Sequence, residues 1–275
     1  MQSAWLKGYM KKIFIPVFLA ILLNVKGLAQ QSLCFKPGEE IHYIVSYNWG
    51  FIWLDVGEAK FTVKEKKFKS KPFLVLEAWG KTYSSWDHFF KVRDYYKSIV
   101  FPETIKPVYF IRDISEGDIK FKITYKFIQR KHLVYAERKG NTGLHRHDTV
   151  KINDNTFDLL SVIYYARNLD YSQMKKNQKV PVSMMLDRKF ENLYFRYLGK
   201  ETFYNKKVGK FKTIKLRVIT VPSTAFKGGE TLTLWITDDP NHIPVWIESP
   251  ISVGAVKVRL AGYKNLKYPL SAKIK

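Results

Sequence analysis

The chain has 275 residues, 46% hydrophobic and 16% aromatic, with 47 Lys and Arg against 24 Asp and Glu, a net charge of +23. That apolar fraction excludes intrinsic disorder, because it supplies surface for a core despite the charge. The single cysteine excludes a disulfide framework and a Cys-based zinc site, and the length suits one large β domain or two smaller units.

Residues 1–29 read as an export signal. Lys7, Lys11 and Lys12 form a basic lead, residues 13–25 an apolar run, and Ala29 a small residue at the cleavage point. The run is shorter than the roughly 20 apolar residues of a membrane-spanning helix. Cleavage after Ala29 removes Lys7, Lys11, Lys12, Lys26 and no acid, so residues 30–275 keep a charge of +19. Cys34 sits behind Leu33, where a lipoprotein signal requires a small residue, and reads as an unpaired thiol with no lipid anchor.

From Glu40 to Lys151 successive strands are expected. Phe121, Ile123, Tyr125 and Phe127 alternate with Lys122, Thr124 and Lys126, the period-2 pattern of a half-buried strand. Glu116-Gly-Asp118 suits a hairpin turn, and Gly57 a bulge or bend. One helix is predicted over 157–169, capped by Asn155 or Thr156, with Asp158 in its first turn and Leu159, Leu160, Ile163, Tyr164 and Leu169 at helical spacing. Strands return at 193–204, 211–221, 231–237, 245–248 and 255–263, with turns at Lys227-Gly-Gly229 and Asp238-Asp-Pro-Asn241. The expectation is one continuous all-β, mainly antiparallel domain over 30–275. Its sheet would be strongly curved or a partly open barrel, with a single central helix packed on it.

Several motifs now align with a known pattern. They are Phe35-Lys-Pro-Gly-Glu39, Ile41-His-Tyr-Ile-Val-Ser-Tyr47, Gly57-Glu-Ala59, Asp158-Leu-Leu-Ser-Val-Ile-Tyr-Tyr-Ala-Arg167, Gly209-Lys-Phe-Lys-Thr-Ile-Lys215, Leu234-Trp-Ile-Thr-Asp-Asp-Pro240, Ile243-Pro-Val245 and Gly254. From Phe35 to Asn265 the chain resembles the bacterial family catalogued as domain of unknown function 3108. The resemblance implies a predominantly β protein exported by Gram-negative bacteria, with no established activity and no catalytic residues to carry over. A looser likeness of architecture is to the periplasmic lipoprotein carriers, in which a curved sheet holds a lipid against a helix; that bears on fold alone.

Candidate chemistry is sparse. His145-Arg-His147-Asp148 is the sharpest metal-like feature, since in an extended chain both imidazoles project to one face. Asn141-Thr-Gly143 upstream instead marks a solvated loop, and the sequence supplies no further ligand cluster, so no metal is assigned. Asp238 and Asp239 are expected to organise their turn through side-chain to backbone bonds, and no nucleophile elbow, phosphate loop or cofactor motif is present. No cofactor and no catalytic residue are therefore expected.

Basic patches occur at 64–71, at Lys175, Lys176 and Lys179, and at Lys206, Lys207 and Lys210. Export and the preference for Lys over Arg argue against nucleic acid and for an anionic envelope component, with peripheral association to a membrane. Aromatics crowd the first half, and Trp49, Trp53, Trp79, Trp86 and Tyr164 are the candidates to line a concave ligand groove. The leading expectation is an exported, non-enzymatic protein binding a hydrophobic or amphipathic envelope ligand. The alternative is an envelope-polymer hydrolase using Asp238 and Asp239 or the His145/His147 segment.

Overall fold

The computed structural model describes residues 32–274 other than 50, 142, 221–228 and 252–253. The expected export signal, the side chain of Trp49 and the first two residues of the Lys227-Gly-Gly229 turn lie outside the described residues. In chain order the elements are β1 (Glu40–Trp49), β2 (Ile52–Phe68), β3 (Lys71–Thr82), β4 (Arg93–Val100), β5 (Pro107–Glu116), β6 (Ile119–Ile128), β7 (Leu133–Gly140), β8 (His145–Lys151), β9 (Thr156–Phe157), α1 (Leu159–Arg167), β10 (Lys179–Leu186), β11 (Lys189–Asn205), β12 (Gly209–Thr220), β13 (Gly229–Thr237), β14 (Pro244–Pro250), β15 (Ala255–Lys264) and β16 (Lys273–Ile274).

The strands form one sheet in the order β8-β7-β6-β5-β4-β3-β2-β1-β15-β14-β13-β12-β11-β10-β9, with β16 added to β12. Two meanders thus grow outward from β1, and every pair is antiparallel except β9 with β10. The described strands number sixteen. The chain reverses at the expected Glu116-Gly-Asp118 turn, where Gly117 has φ 57°. At Gly57 the predicted bulge is present: Val45 faces Gly57 while Ser46 faces Asp55, leaving Val56 extra. A Cβ at Gly57 would lie 2.4 Å from the Lys81 carbonyl oxygen, so close strand approach demands glycine.

Twist curls this long sheet around α1, which packs against β3, β4, β9 and β10 and so bridges the two halves. The β10–β11 turn reaches across to the first half. Arg112 pairs with Asp187 at 2.9 Å, the Arg188 amide donates to the Tyr125 hydroxyl at 3.0 Å, and the Arg188 guanidinium pairs with Asp148. The edge strands β8 and β9 are not paired with each other, and the curved sheet stays open. Exposed β8, His-Arg-His-Asp-Thr-Val-Lys, carries the charged side chains that blunt an edge against pairing with another chain.

The helix is two residues shorter at each end than its spacing predicts. Thr156 and Phe157 are drawn into β9, and the Thr156 hydroxyl donates to the Asn153 carbonyl. Asp158 caps instead, accepting from the Leu160 and Ser161 amides, while Ser161 Oγ accepts from the Asp158 amide in a capping box. Beyond Arg167 the chain turns at Asn168, and Leu169 packs on a separate apolar cluster around Tyr171, Phe195, Tyr197, Ile214, Leu216 and Ile236. The largest cluster joins α1 (Leu160, Tyr164) to β2–β7, and a third gathers Ile41, Tyr43, Trp235, Val245, Trp246 and Leu260.

Candidate functional site

The family-like motifs converge on one buried polar centre. Arg167, at the last turn of α1, pairs with both oxygens of Glu39 at 2.7 and 2.9 Å, and donates through Nε and Nη2 to the Asn241 carbonyl. Both partners are nearly inaccessible, at 4% and 1% side-chain exposure. Burial opposes the charged guanidinium, but the Glu39 carboxylate outweighs it, so Arg167 holds its proton more firmly than an ordinary arginine. Phe35 and Tyr164 meet edge to face at 4.7 Å and flank the guanidinium.

Asp239 belongs to the same centre. It is buried, and its two oxygens accept from the Thr237 hydroxyl and the amides of Asn241 and Ala272. Asn241 in turn donates to the carbonyls of Tyr268 and Pro269. His242 Nδ1 donates to the Arg167 carbonyl at 2.7 Å, and burial lowers the pKa of its ring. The centre thus ties the segment before β1, the end of α1, the β13–β14 turn and the C-terminal tail together. Asp239 organises its turn as the sequence leads one to expect, and Asp238 pairs with Lys200 on the surface at 2.8 Å.

Cys34 lies beside this centre, buried, with its amide donating to Asn168 Oδ1 at 2.7 Å. Burial pushes its thiol up to about 11, well above the reactive range.

His145 and His147 lie on strand β8 and not in a solvated loop, because β7 pairs with the whole segment. Their rings stand 4.2 Å apart on one face. The cross-strand partner of His147 is Glu137, whose carboxylate meets His145 Nε2 at 2.6 Å and Lys139 Nζ at 3.0 Å. One ligand atom from each of Glu137, His145 and His147 falls within 4.8 Å of the others. Glu137 was invisible to sequence spacing, since strand register alone brings it to the pair. Hydrogen bonds from His145 and Lys139 hold its carboxyl down at about 2, so the acid already has two side-chain partners.

The aromatic candidates divide. Tyr164 is core. Trp53 stacks with Trp246 at 5.9 Å, with Lys207 and Lys257 over its ring, and Trp86 packs on Phe89 in the β3–β4 connection. Trp79 stacks on Tyr95 beside Lys64 and borders a shallow depression of about 270 Å³ shared with His42, Glu58, Lys60 and Lys81.

An apolar groove lies between α1 and the sheet. It has a volume of about 130 Å³ and is lined by Ala59, Phe61, Ala78, Trp79, Gly80, Tyr96, Leu159, Leu160 and Ile163. Register explains it. Ala59 faces Gly80 and Phe61 faces Ala78, so three small residues on neighbouring strands leave a trough that the leucines of α1 do not fill. Of the four aromatics singled out from sequence whose side chains are described, Trp79 alone borders this groove; small residues at paired positions open it.

No curated protein matches the chain. A crystal structure described as a β-barrel-like protein of domain of unknown function DUF1849, from Brucella abortus, is similar in fold, with a TM-score of 0.56 and 7% identity over 85% of this chain and 99% of that one. The model of DUF3108, a family of proteins of unknown function, matches residues 42–261, which takes in the helix motif, the Trp-Ile-Thr-Asp-Asp-Pro turn and the Arg167–Asn241 side of the buried centre. The chain belongs to the DUF3108 family.

Proposed function

We propose that this is an exported, non-enzymatic envelope protein that holds the alkyl part of an amphipathic ligand between α1 and β2–β4. The observation that carries the reading is the trough over Ala59, Ala78 and Gly80, whose other walls are apolar side chains. An apolar groove of this kind gains by covering its surface with hydrocarbon. Its volume suits a stretch of one alkyl chain, and the rest of the ligand would extend past the open mouth.

The hydrolase reading is not favoured. Asp239 is committed to three donors inside the fold, Asp238 to a surface lysine, and Glu137 to Lys139 and His145. Moreover, His145 opens β8 at the end of the sheet that carries the β1–β2 turn, whereas Asp238 follows β13 at the other end.

Gly80 tests the proposal. A Cβ there would approach only the Asp94 Cβ, at 4.0 Å, and its backbone is not left-handed, so Gly80→Leu fills the groove without backbone strain. Titration with a fluorescent fatty-acid probe should show saturable binding to the wild type and at least about tenfold weaker binding to the variant, with the melting temperature retained. Equal affinity in the two proteins would contradict it.

A further inference from the structure

In an antiparallel meander alternate turns share one end of the sheet, so the β1–β2, β3–β4, β5–β6 and β7–β8 connections line up along a single rim. Six large apolar side chains are exposed on that rim: Phe51 at 99%, Ile52, Phe89 at 72%, Phe90, Ile119 and Leu144. The β3–β4, β5–β6 and β7–β8 turns are tied to one another. Phe90 rests on Gly117, where even an added methyl would come within 3.4 Å of its ring. The Gly117 amide donates to the Lys91 carbonyl at 2.8 Å, and Asn141 donates to the carbonyls of Lys120 and Asp118. The result is a row of apolar tips on four turns, three of which hold one another.

Cations stand directly behind three of them. Phe90 is followed by Lys91, Ile119 by Lys120, and Leu144 by His145 and Arg146. Lys91, Lys120 and Arg146 are exposed and form no ion pair among the described residues.

We propose that this rim docks the protein onto an anionic phospholipid bilayer, with the Phe and Ile tips among the acyl chains and Lys91, Lys120 and Arg146 on the phosphates. Separate convex tips enter a deformable phase, and cations set just behind them match the depth of a head-group layer. A second copy of the chain fits poorly, since a two-fold contact would bring these three cations against themselves. The proposal stands apart from the ligand reading, because docking needs no occupant in the groove.

The buried Cys34 makes a local test clean. In the full-length chain, an environment-sensitive label is attached to Phe51→Cys at the rim or to Ser70→Cys at the opposite β2–β3 turn, then mixed with vesicles of phosphatidylglycerol and phosphatidylethanolamine. Expected is a several-fold rise in emission at position 51, quenched by nitroxide-bearing lipid and lost on Phe89→Ser/Phe90→Ser, with no change at position 70. The readout is local, so vesicle binding by the apolar run at 13–25 does not imitate it. An unchanged signal at 51 would overturn the proposal, as would a rise at 70 or a rise at 51 that depends on protein concentration and not on vesicles.

Discussion

Arg167 donates two charge-assisted hydrogen bonds to the Glu39 carboxylate in a buried site, and also donates to the Asn241 carbonyl. Removing one partner strands a buried charge, which costs about 3–5 kcal/mol, whereas removing both leaves none. Arg167→Met alone should therefore destabilise by roughly that amount, and Glu39→Leu with Arg167→Met by clearly less than the sum of the single changes. Chemical denaturation of the four proteins checks this; additive losses would mean that the pair is not coupled. Both residues lie inside motifs legible in the sequence, but their partnership is not, since 128 positions separate them and no periodicity links them.

At the scale of elements, alternation located the strands well, because a sheet with one face on the core imposes period 2. The helix was legible from its apolar spacing, and its ends were not: β9 pairs with β10 and takes the residues that would otherwise cap it. Pairing of elements also creates an electrostatic feature without a sequence signal. Asp94 at the start of β4 lies beside Glu116 at the end of β5, and burial together with that neighbouring carboxylate pushes its pKa up to about 7 from 3.8. An acid whose pKa is raised by folding binds its proton more tightly in the native state, so its contribution to stability falls as pH rises through the window from about 4 to 7. The depressed carboxyls, Asp55, Asp87 and Glu137 among them, act in the opposite sense and below that window. Buried Asp158, raised to about 6, acts in the same sense as Asp94, and His242, lowered by burial, in the opposite one. The Asp94 share is therefore read by difference: Asp94→Asn should make the change in melting temperature from pH 4.5 to pH 7.5 less negative than in the wild type and stabilise the protein at pH 7.5. A variant whose profile runs parallel to the wild type would show that Asp94 does not set the slope.

For the whole molecule, the two ends of the sheet differ. One carries the row of six apolar tips from Phe51 to Leu144, and the other the lysine-rich β2–β3 and β11–β12 turns, with Phe68, Phe101 and Tyr204 also exposed at that end. The composition announces both an aromatic load and a basic surface, yet the row of apolar tips emerges only when the meander sorts alternate turns to opposite ends. The groove between α1 and the sheet follows the same logic, since Ala59, Ala78 and Gly80 are unremarkable in sequence and become a trough through register. Native mass spectrometry of the protein purified without detergent from the cells that make it reads whether that groove holds a ligand. The wild type should carry an added mass that fragments to an acyl chain, and Gly80→Leu should fly without it. A wild type of bare polypeptide mass, or a variant with the same adduct, would mean that the groove does not hold an acyl chain.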